Sequence, residues 1–343
     1  MAFTLHDLLR HLVHIRASDL LLKAGQPPLF RLHGDLLPLH APALSAEEVE
    51  ELAQHILRPD QRERFERERE MTVTYQLKNV ARYRVTLLQQ QGGPSLSVRA
   101  IPLHPPSLEE LNLPPLCREF CERPQGLILV TGPAGSGKST TLAALVHHLN
   151  STRALHILTI EEPIEFVHQD LKSFLSQREV GEDTPSFAAA LRQALHQDAD
   201  VILVSELREL EAISLALAAA ETGHLVLAAL PATDAVQTIE RIVEVFPLPQ
   251  QQRIRLQLAA NLVGIISQML LKRADGTGQV AAFEVLKVTS PVRRFIREAQ
   301  TSPISSLLRS GEQGMRTLDQ SLAELVAREI ITPEEASVAG WDN

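Results

Sequence analysis

Cysteine is nearly absent from the 343 residues: only Cys117 and Cys121 occur, in Leu116-Cys117-Arg118-Glu119-Phe120-Cys121. Their four-residue spacing puts both on one helix face, so they read as buried packing and not as a metal knuckle or redox pair. The 13 histidines are scattered, without a His-x-x-x-His or His/carboxylate cluster at metal-ligand spacing. No apolar run approaches the roughly 18 residues that span a bilayer. The start, Met1-Ala2-Phe3-Thr4-Leu5-His6-Asp7, lacks the cationic opening and apolar core of a signal peptide, so a cytoplasmic location is expected. The net charge is −9 and no long Lys/Arg block interrupts it, so a broad grip on nucleic acid is not expected, although a local basic pore is compatible. Internal repeats and low-complexity tracts are missing as well. With 44% apolar residues the chain is an ordinary globular sequence, long enough for two or three domains.

One motif dominates what is present. Gly132-Pro133-Ala134-Gly135-Ser136-Gly137-Lys138-Ser139 spells G-x-x-x-x-G-K-[ST]. Gly126-Leu127-Ile128-Leu129-Val130-Thr131 ahead of it reads as a buried strand, and the run from Thr140 to Val146 behind it reads as a helix. Strand, loop and helix are the context in which glycines let backbone N–H groups turn around phosphates. There Lys138 reaches the β- and γ-phosphates and the Ser139 hydroxyl joins Mg²⁺. The loop through Thr140 is therefore the expected site for ATP or GTP with Mg²⁺.

The first hundred residues read as a small α+β unit. Leu5, Leu8, Leu9, Leu12 and Val13 recur at helical spacing, residues 18–25 turn strand-like, and Phe30 to Leu36 looks like a hairpin turning at Gly34-Asp35. Ser45 with Glu48 forms a capping box for a helix through about Leu57, and Pro59-Asp60 opens a charged second helix. Strands follow at Met71 to Leu77, Ala81 to Gln89 and Ser95 to Ile101, the last two joined through Gly92-Gly93. Pro102-Leu103-His104-Pro105-Pro106 and Leu113-Pro114-Pro115 bracket a stiff connection. The expected division is 1–102, a linker at 103–115, an α/β domain at 116–290 and a helical region at 291–343. Strand-like runs at 127–130, 156–160, 201–204 and 224–230 alternate with helical stretches at 185–196 and 210–221. From Gln250 the chain reads as mostly helical, with one hairpin around Ala274-Asp275-Gly276-Thr277-Gly278, and Thr332-Pro333-Glu334-Glu335 opens the last helix.

Hydrolysis needs more than the loop. Asp200-Val201-Ile202-Leu203-Val204-Ser205-Glu206 is an apolar strand ending in a carboxylate, which makes Glu206 the candidate beside the metal. Thr159-Ile160-Glu161-Glu162-Pro163-Ile164-Glu165-Phe166 is a second acidic strand end that could supply a general base or orient water. Carboxylates at strand ends are commonly solvated or cap helices, and it is the phosphate loop that favours the catalytic reading. Arg82 and Arg84 share a strand face, and Arg99 is expected alongside on the next strand, a cluster suited to phosphate or simply to solvent.

Together these motifs resemble the secretion-type hexameric ATPases, and within them the PilT/PilU group that powers type IV pilus retraction in twitching motility. The matching segments are Ala17-Ser18-Asp19-Leu20, Gly25-Gln26-Pro27-Pro28, Gly34-Asp35, Arg82-Tyr83-Arg84-Val85, the 159–166 acidic box, Ala219 to Val226, Arg241 to Pro247, and Ile265-Ile266-Ser267-Gln268. Pro291 to Glu298 looks like the segment that the retraction group carries after its core. Pilus-extension relatives are longer and often hold a four-cysteine zinc insert, which this sequence lacks.

The resemblance implies an α/β chain with a PAS-like N-terminal domain, a RecA-like P-loop domain and a helical C-terminal region, working as a homo-hexamer. It assigns Glu165 as catalytic base, Glu206 to metal and water, Arg82, Arg84 and Arg99 to nucleotide, and His224 to the first position of a histidine box. It also implies a membrane platform protein as partner, with the ring at the cytoplasmic side of the inner membrane. Some positions depart from the family pattern. Pro231 stands where the second box histidine belongs, and proline can neither donate to phosphate nor carry a proton. Ser205-Glu206-Leu207-Arg208-Glu209, Glu161-Glu162-Pro163, Gln91 and Leu195-His196-Gln197-Asp198-Ala199-Asp200 depart too. Three functions are therefore expected in order: a retraction motor, a weakened paralogue that joins or regulates an active ring, and a type II secretion-like assembly ATPase.

Overall fold

A computed structural model describes all residues other than 1–2, 16, 33–34, 79, 92, 102–103 and 341–343. The chain divides into two compact units, Met1–His104 with Glu165–Val167, and Pro105–Ile164 with His168–Asn343.

The first unit begins with α1 (Leu5–His14), where Thr4 and Asp7 form a capping box and Leu5, Leu8, Leu9 and Leu12 point inward. There follow β1 (Asp19–Lys23), β2 (Leu29–Leu32), β3 (Asp35–Pro38), α2 (Ala46–Ile56), α3 (Pro59–Glu68), β4 (Glu70–Leu77), β5 (Ala81–Gln90) and β6 (Gly93–Ile101). The Ser45–Glu48 capping box is formed, and Pro59 takes the first position of α3. The strands make one antiparallel sheet in the order β3-β2-β1-β6-β5-β4. Residues 33–34 and Gly92, where turns were expected, lie outside the described residues. Alternation along β5 buries Ala81, Tyr83, Val85 and Leu87 and leaves Arg82 and Arg84 on the other face. Tyr83 donates its hydroxyl to the Leu9 carbonyl at 3.0 Å and pins α1 to the sheet, and burial pushes the phenol up to about 12.

The second unit comprises α4 (Pro115–Cys121), β7 (Gly126–Thr131), α5 (Lys138–Thr152), β8 (His156–Glu161), β9 (Phe174–Glu179), α6 (Phe187–Ala194), β10 (Val201–Val204), α7 (Leu210–Glu221) and β11 (Leu225–Leu230). It continues through α8 (Ala235–Glu244), α9 (Leu248–Asn261), β12 (Leu262–Lys272), β13 (Gln279–Lys287), α10 (Ser290–Arg297), α11 (Ile304–Ser310), α12 (Leu318–Ala327) and α13 (Pro333–Val338). Its sheet runs β13-β12-β7-β11-β10-β8-β9, parallel from β12 to β9 with β13 antiparallel. Every residue of β7, β10 and β11 is buried, as the continuous apolar runs require of strands covered on both faces. Cys117 and Cys121 are buried on α4, where loss of water raises both thiols, Cys121 to about 12.

Two elements differ from the expectation. β9 has no apolar run to announce it, yet it pairs with β8 along its whole length. The stretch after Gln250 is less helical than its pattern suggests, because β12 and β13 span 262–287 as a long hairpin. An apolar run buried on both faces has the same periodicity as a buried helix. Residues 105–114 do not stand apart either, since Leu108 is buried in the second unit's core.

Candidate active site

β7 delivers the chain at Thr131 to the loop of residues 132–137, and α5 starts at Lys138. Gly132 and Gly137 adopt φ of 147° and 88°, which a side chain rarely tolerates. A Cβ on Gly132 would lie 2.3 Å from the Gln268 carbonyl oxygen and 2.5 Å from Ser136 Oγ. The loop is therefore closed tightly over β12. Lys138 donates from Nζ to the carbonyls of Gly132 and Pro133 at 2.9 and 2.8 Å. Burial lowers its pKa, and the Glu206 carboxylate opposes that shift. A helix beginning at Lys138 leaves the N–H groups of Lys138, Ser139 and Thr140 without intrahelical acceptors, and the helix dipole places partial positive charge there. Backbone donors, an ammonium and an exposed Ser139 hydroxyl fit a phosphate.

Gln268 escaped the site reading based on sequence, although its segment carried part of the resemblance. Its Nε2 donates to the Ser136 carbonyl at 2.6 Å, in a place where Gln268 is 4% exposed. Gln268 Oε1 and Ser136 Oγ are buried without a hydrogen-bond partner among the described residues. Ser267-Gln268, a polar pair inside an apolar run, was the available signal.

Glu206 follows β10 and accepts from Arg208 at 2.6 Å; that bond raises the Arg208 pKa. Its negative charge acts on the Lys138 ammonium. In the acidic box, Glu161 accepts from Thr159 at 2.6 Å and from Gln177 at 3.1 Å. Glu165 groups with the first unit and accepts from Arg84 at 3.1 Å. Arg84 and Arg99 stand directly opposite each other on β5 and β6. Arg99 donates to Asp19 at 2.9 Å and Arg82 to Thr74 at 2.9 Å. His224 precedes β11, and its carbonyl accepts from the Gly126 N–H, at the end of β7 opposite the phosphate loop. Six strand residues separate it from the loop within this unit, roughly 20 Å. Pro231, by contrast, directly follows Leu230, the partner of Thr131, and so leaves the sheet beside the loop.

The family model described as Type II/IV secretion system protein matches residues 5–330. The chain belongs to this family. A twitching motility protein of Neisseria gonorrhoeae is 47% identical over 310 residues, 90% of this chain and 83% of the relative. The type IV pilus retraction ATPase PilT of Pseudomonas aeruginosa is 45% identical over 321 residues, 93% of each chain. The crystal structure of the pilus retraction motor PilT with bound ADP matches with a TM-score of 0.90 at 41% identity, covering 99% of this chain and 98% of that one. The mixed α/β architecture, a small α+β unit followed by an α/β unit with a parallel sheet, is that of a secretion ATPase.

Proposed function

We propose that this chain hydrolyses Mg-ATP in a ring of six copies and drives retraction of a type IV pilus. The observation that carries the reading is 45% identity to PilT over 93% of both chains, joined to an intact phosphate loop between β7 and α5. Lys138 and the first-turn N–H groups of α5 hold the β- and γ-phosphates, and the surrounding glycines let the backbone approach them. Ser139 and Glu206 are the residues that would hold magnesium, which supplies charge neutralisation at the phosphates. Glu165 takes the proton of the attacking water, and Arg82, Arg84 and Arg99 face negative charge that builds on the phosphoryl group. His224 stands at the family's histidine-box position, roughly 20 Å from its own phosphate loop. The ring works at the cytoplasmic face of the inner membrane against a platform protein. No described helix is long and apolar enough to cross a membrane.

Mg-ATP hydrolysis measured for the wild type and for Lys138→Ala, with oligomeric state recorded on the same samples, tests the reading. Turnover should fall by roughly 100-fold or more in the variant. Equal turnover in the two proteins would remove the site assignment. Pro231 favours a second reading, a weakened paralogue acting within another protein's ring. Tight ATP binding without turnover in the wild type would select it.

A further inference from the structure

Glu284 stands on β13 directly opposite Ser267 on β12, and Ser267 stands directly opposite Thr131 on β7. One cross-strand row thus runs from a carboxylate to the residue that precedes Gly132. Thr131 Oγ1 donates to Ser267 Oγ at 3.0 Å, and Ser267 Oγ in turn lies 3.5 Å from Glu284 Oε1, at the long end of hydrogen bonding. The N–H of Ala235 donates to the same Oε1 at 2.7 Å. Thr131 and Ser267 are 0% and 2% exposed, so bulk water does not compete between them, and Glu284 at the end of the row is half-buried.

Ala235 is the first residue of α8, whose N-cap is Asp234. Residues 231–234 connect it to β11, which ends at Leu230 beside Thr131. A single carboxylate therefore ties two segments that leave neighbouring parallel strands at the same end of the sheet: the phosphate loop and the connection containing Pro231. Packing alone does not call for an acid here. Withdrawing a carboxylate from water is unfavourable, and an apolar side chain would fill the place without that cost. The hydroxyl and amide donors favour the ionised form. Burial, helped by the negative charges of Asp234, which caps α8, and Asp319 on α12, pushes it up to about 7.

We propose that Glu284 is a positioning residue for ATP hydrolysis, which fixes the 231–234 connection against the phosphate loop so that the chemical step depends on it more than nucleotide affinity does. The inference rests on the ATPase reading. The carboxylate holds Ser267 and Ala235 more firmly than the neutral acid, so turnover rises as the group ionises.

The test compares wild type, Glu284→Gln and Glu284→Ala as full chains, with Lys138→Ala as control. It reads kcat and KM from about pH 6 to about pH 8, ATP affinity, and amide exchange over residues 235–238 with and without ATP. Wild-type kcat should climb through a midpoint near neutrality. Glu284→Gln, which accepts the same bonds but does not titrate, should stay flat at the wild type's acidic level. Glu284→Ala should lose about tenfold in kcat, keep ATP affinity within about threefold, and lose the slowing of exchange at 235–238 that ATP produces in the wild type. Superimposable pH profiles for wild type and Glu284→Gln would overturn the proposal, as would affinity falling in step with kcat. If wild type and Lys138→Ala turn over alike, the ATPase reading fails by itself. Glu284 is then judged on exchange: an ATP response unchanged in Glu284→Gln and Glu284→Ala refutes the link, and its loss upholds it.

Discussion

Lys138 and Gln268 hold the same loop, but only Lys138 could be read from the chain. The lysine sits in a contiguous motif, whereas Gln268 meets Ser136 across a sequence separation of 132 residues, through the pairing of β12 with β7. Replacing Gln268 with Leu strands the buried Ser136 carbonyl, a loss of about 1–3 kcal/mol. ATP affinity measured by titration should weaken by roughly tenfold or more, with the oligomer unchanged. Pro231 offers a gain instead of a loss: Pro231→His returns a donor beside the loop, and a several-fold rise in kcat is the expected result. An unchanged kcat would show that this departure does not limit turnover. Glu284 also leaves a mark on stability. Its folded carboxyl lies near 7, above the ordinary 4.5, so the folded chain binds the extra proton between those values. The stabilisation from that proton is complete below about pH 4.5 and is lost as pH rises through about 7. The melting temperature of Glu284→Gln should therefore gain on the wild type between about pH 5 and pH 8.

Capping explains why two helices of the first unit could be bounded from sequence: Ser45 and Pro59 each mark a start by local chemistry, as Thr4 does for α1 in the structure. Strands carry no such punctuation. β9 is polar and half-exposed because one of its sides lacks a partner strand, and β12 is concealed by being buried on both faces. β12 also contains a close contact that sequence could not disclose. A Cβ at Gly264 would fall 2.2 to 2.8 Å from three carbons of the Phe120 ring, so α4 lies directly on the β12 backbone. Gly264→Ala should destabilise the second unit by about 1–3 kcal/mol through overpacking. Chemical denaturation would measure this, and Phe120→Leu in the same chain should recover part of the loss. No recovery would mean the strain lies elsewhere than at the ring.

At the scale of the molecule there are two main cores, one in each unit. Calorimetry should resolve two unfolding transitions, each with its own cooperativity. ATP at about 100 times its dissociation constant should raise the transition of the second unit by about 2.7 kcal/mol of stability. A single transition would mean that the units unfold as one, and a second-unit transition that ATP leaves unmoved would count against nucleotide binding there. The proline-rich stretch at 102–115 was the sequence's reason to expect a boundary there, while the placement of Glu165–Val167 with the first unit had no local signal. The larger sheet has a further property at its two outer edges. On β13, Val285 exchanges backbone hydrogen bonds with Arg316, and Phe283 donates its N–H to Ser321. On β9, the N–H groups of Leu175 and Glu179 are taken by the side chains of Asp170 and Asp183. These four main-chain donors at the two borders already have partners within the chain, which blunts each edge against pairing with a further strand. A second copy is thereby steered toward side-chain surfaces, and contacts of that kind can slide and re-form as a continuous β-ladder cannot.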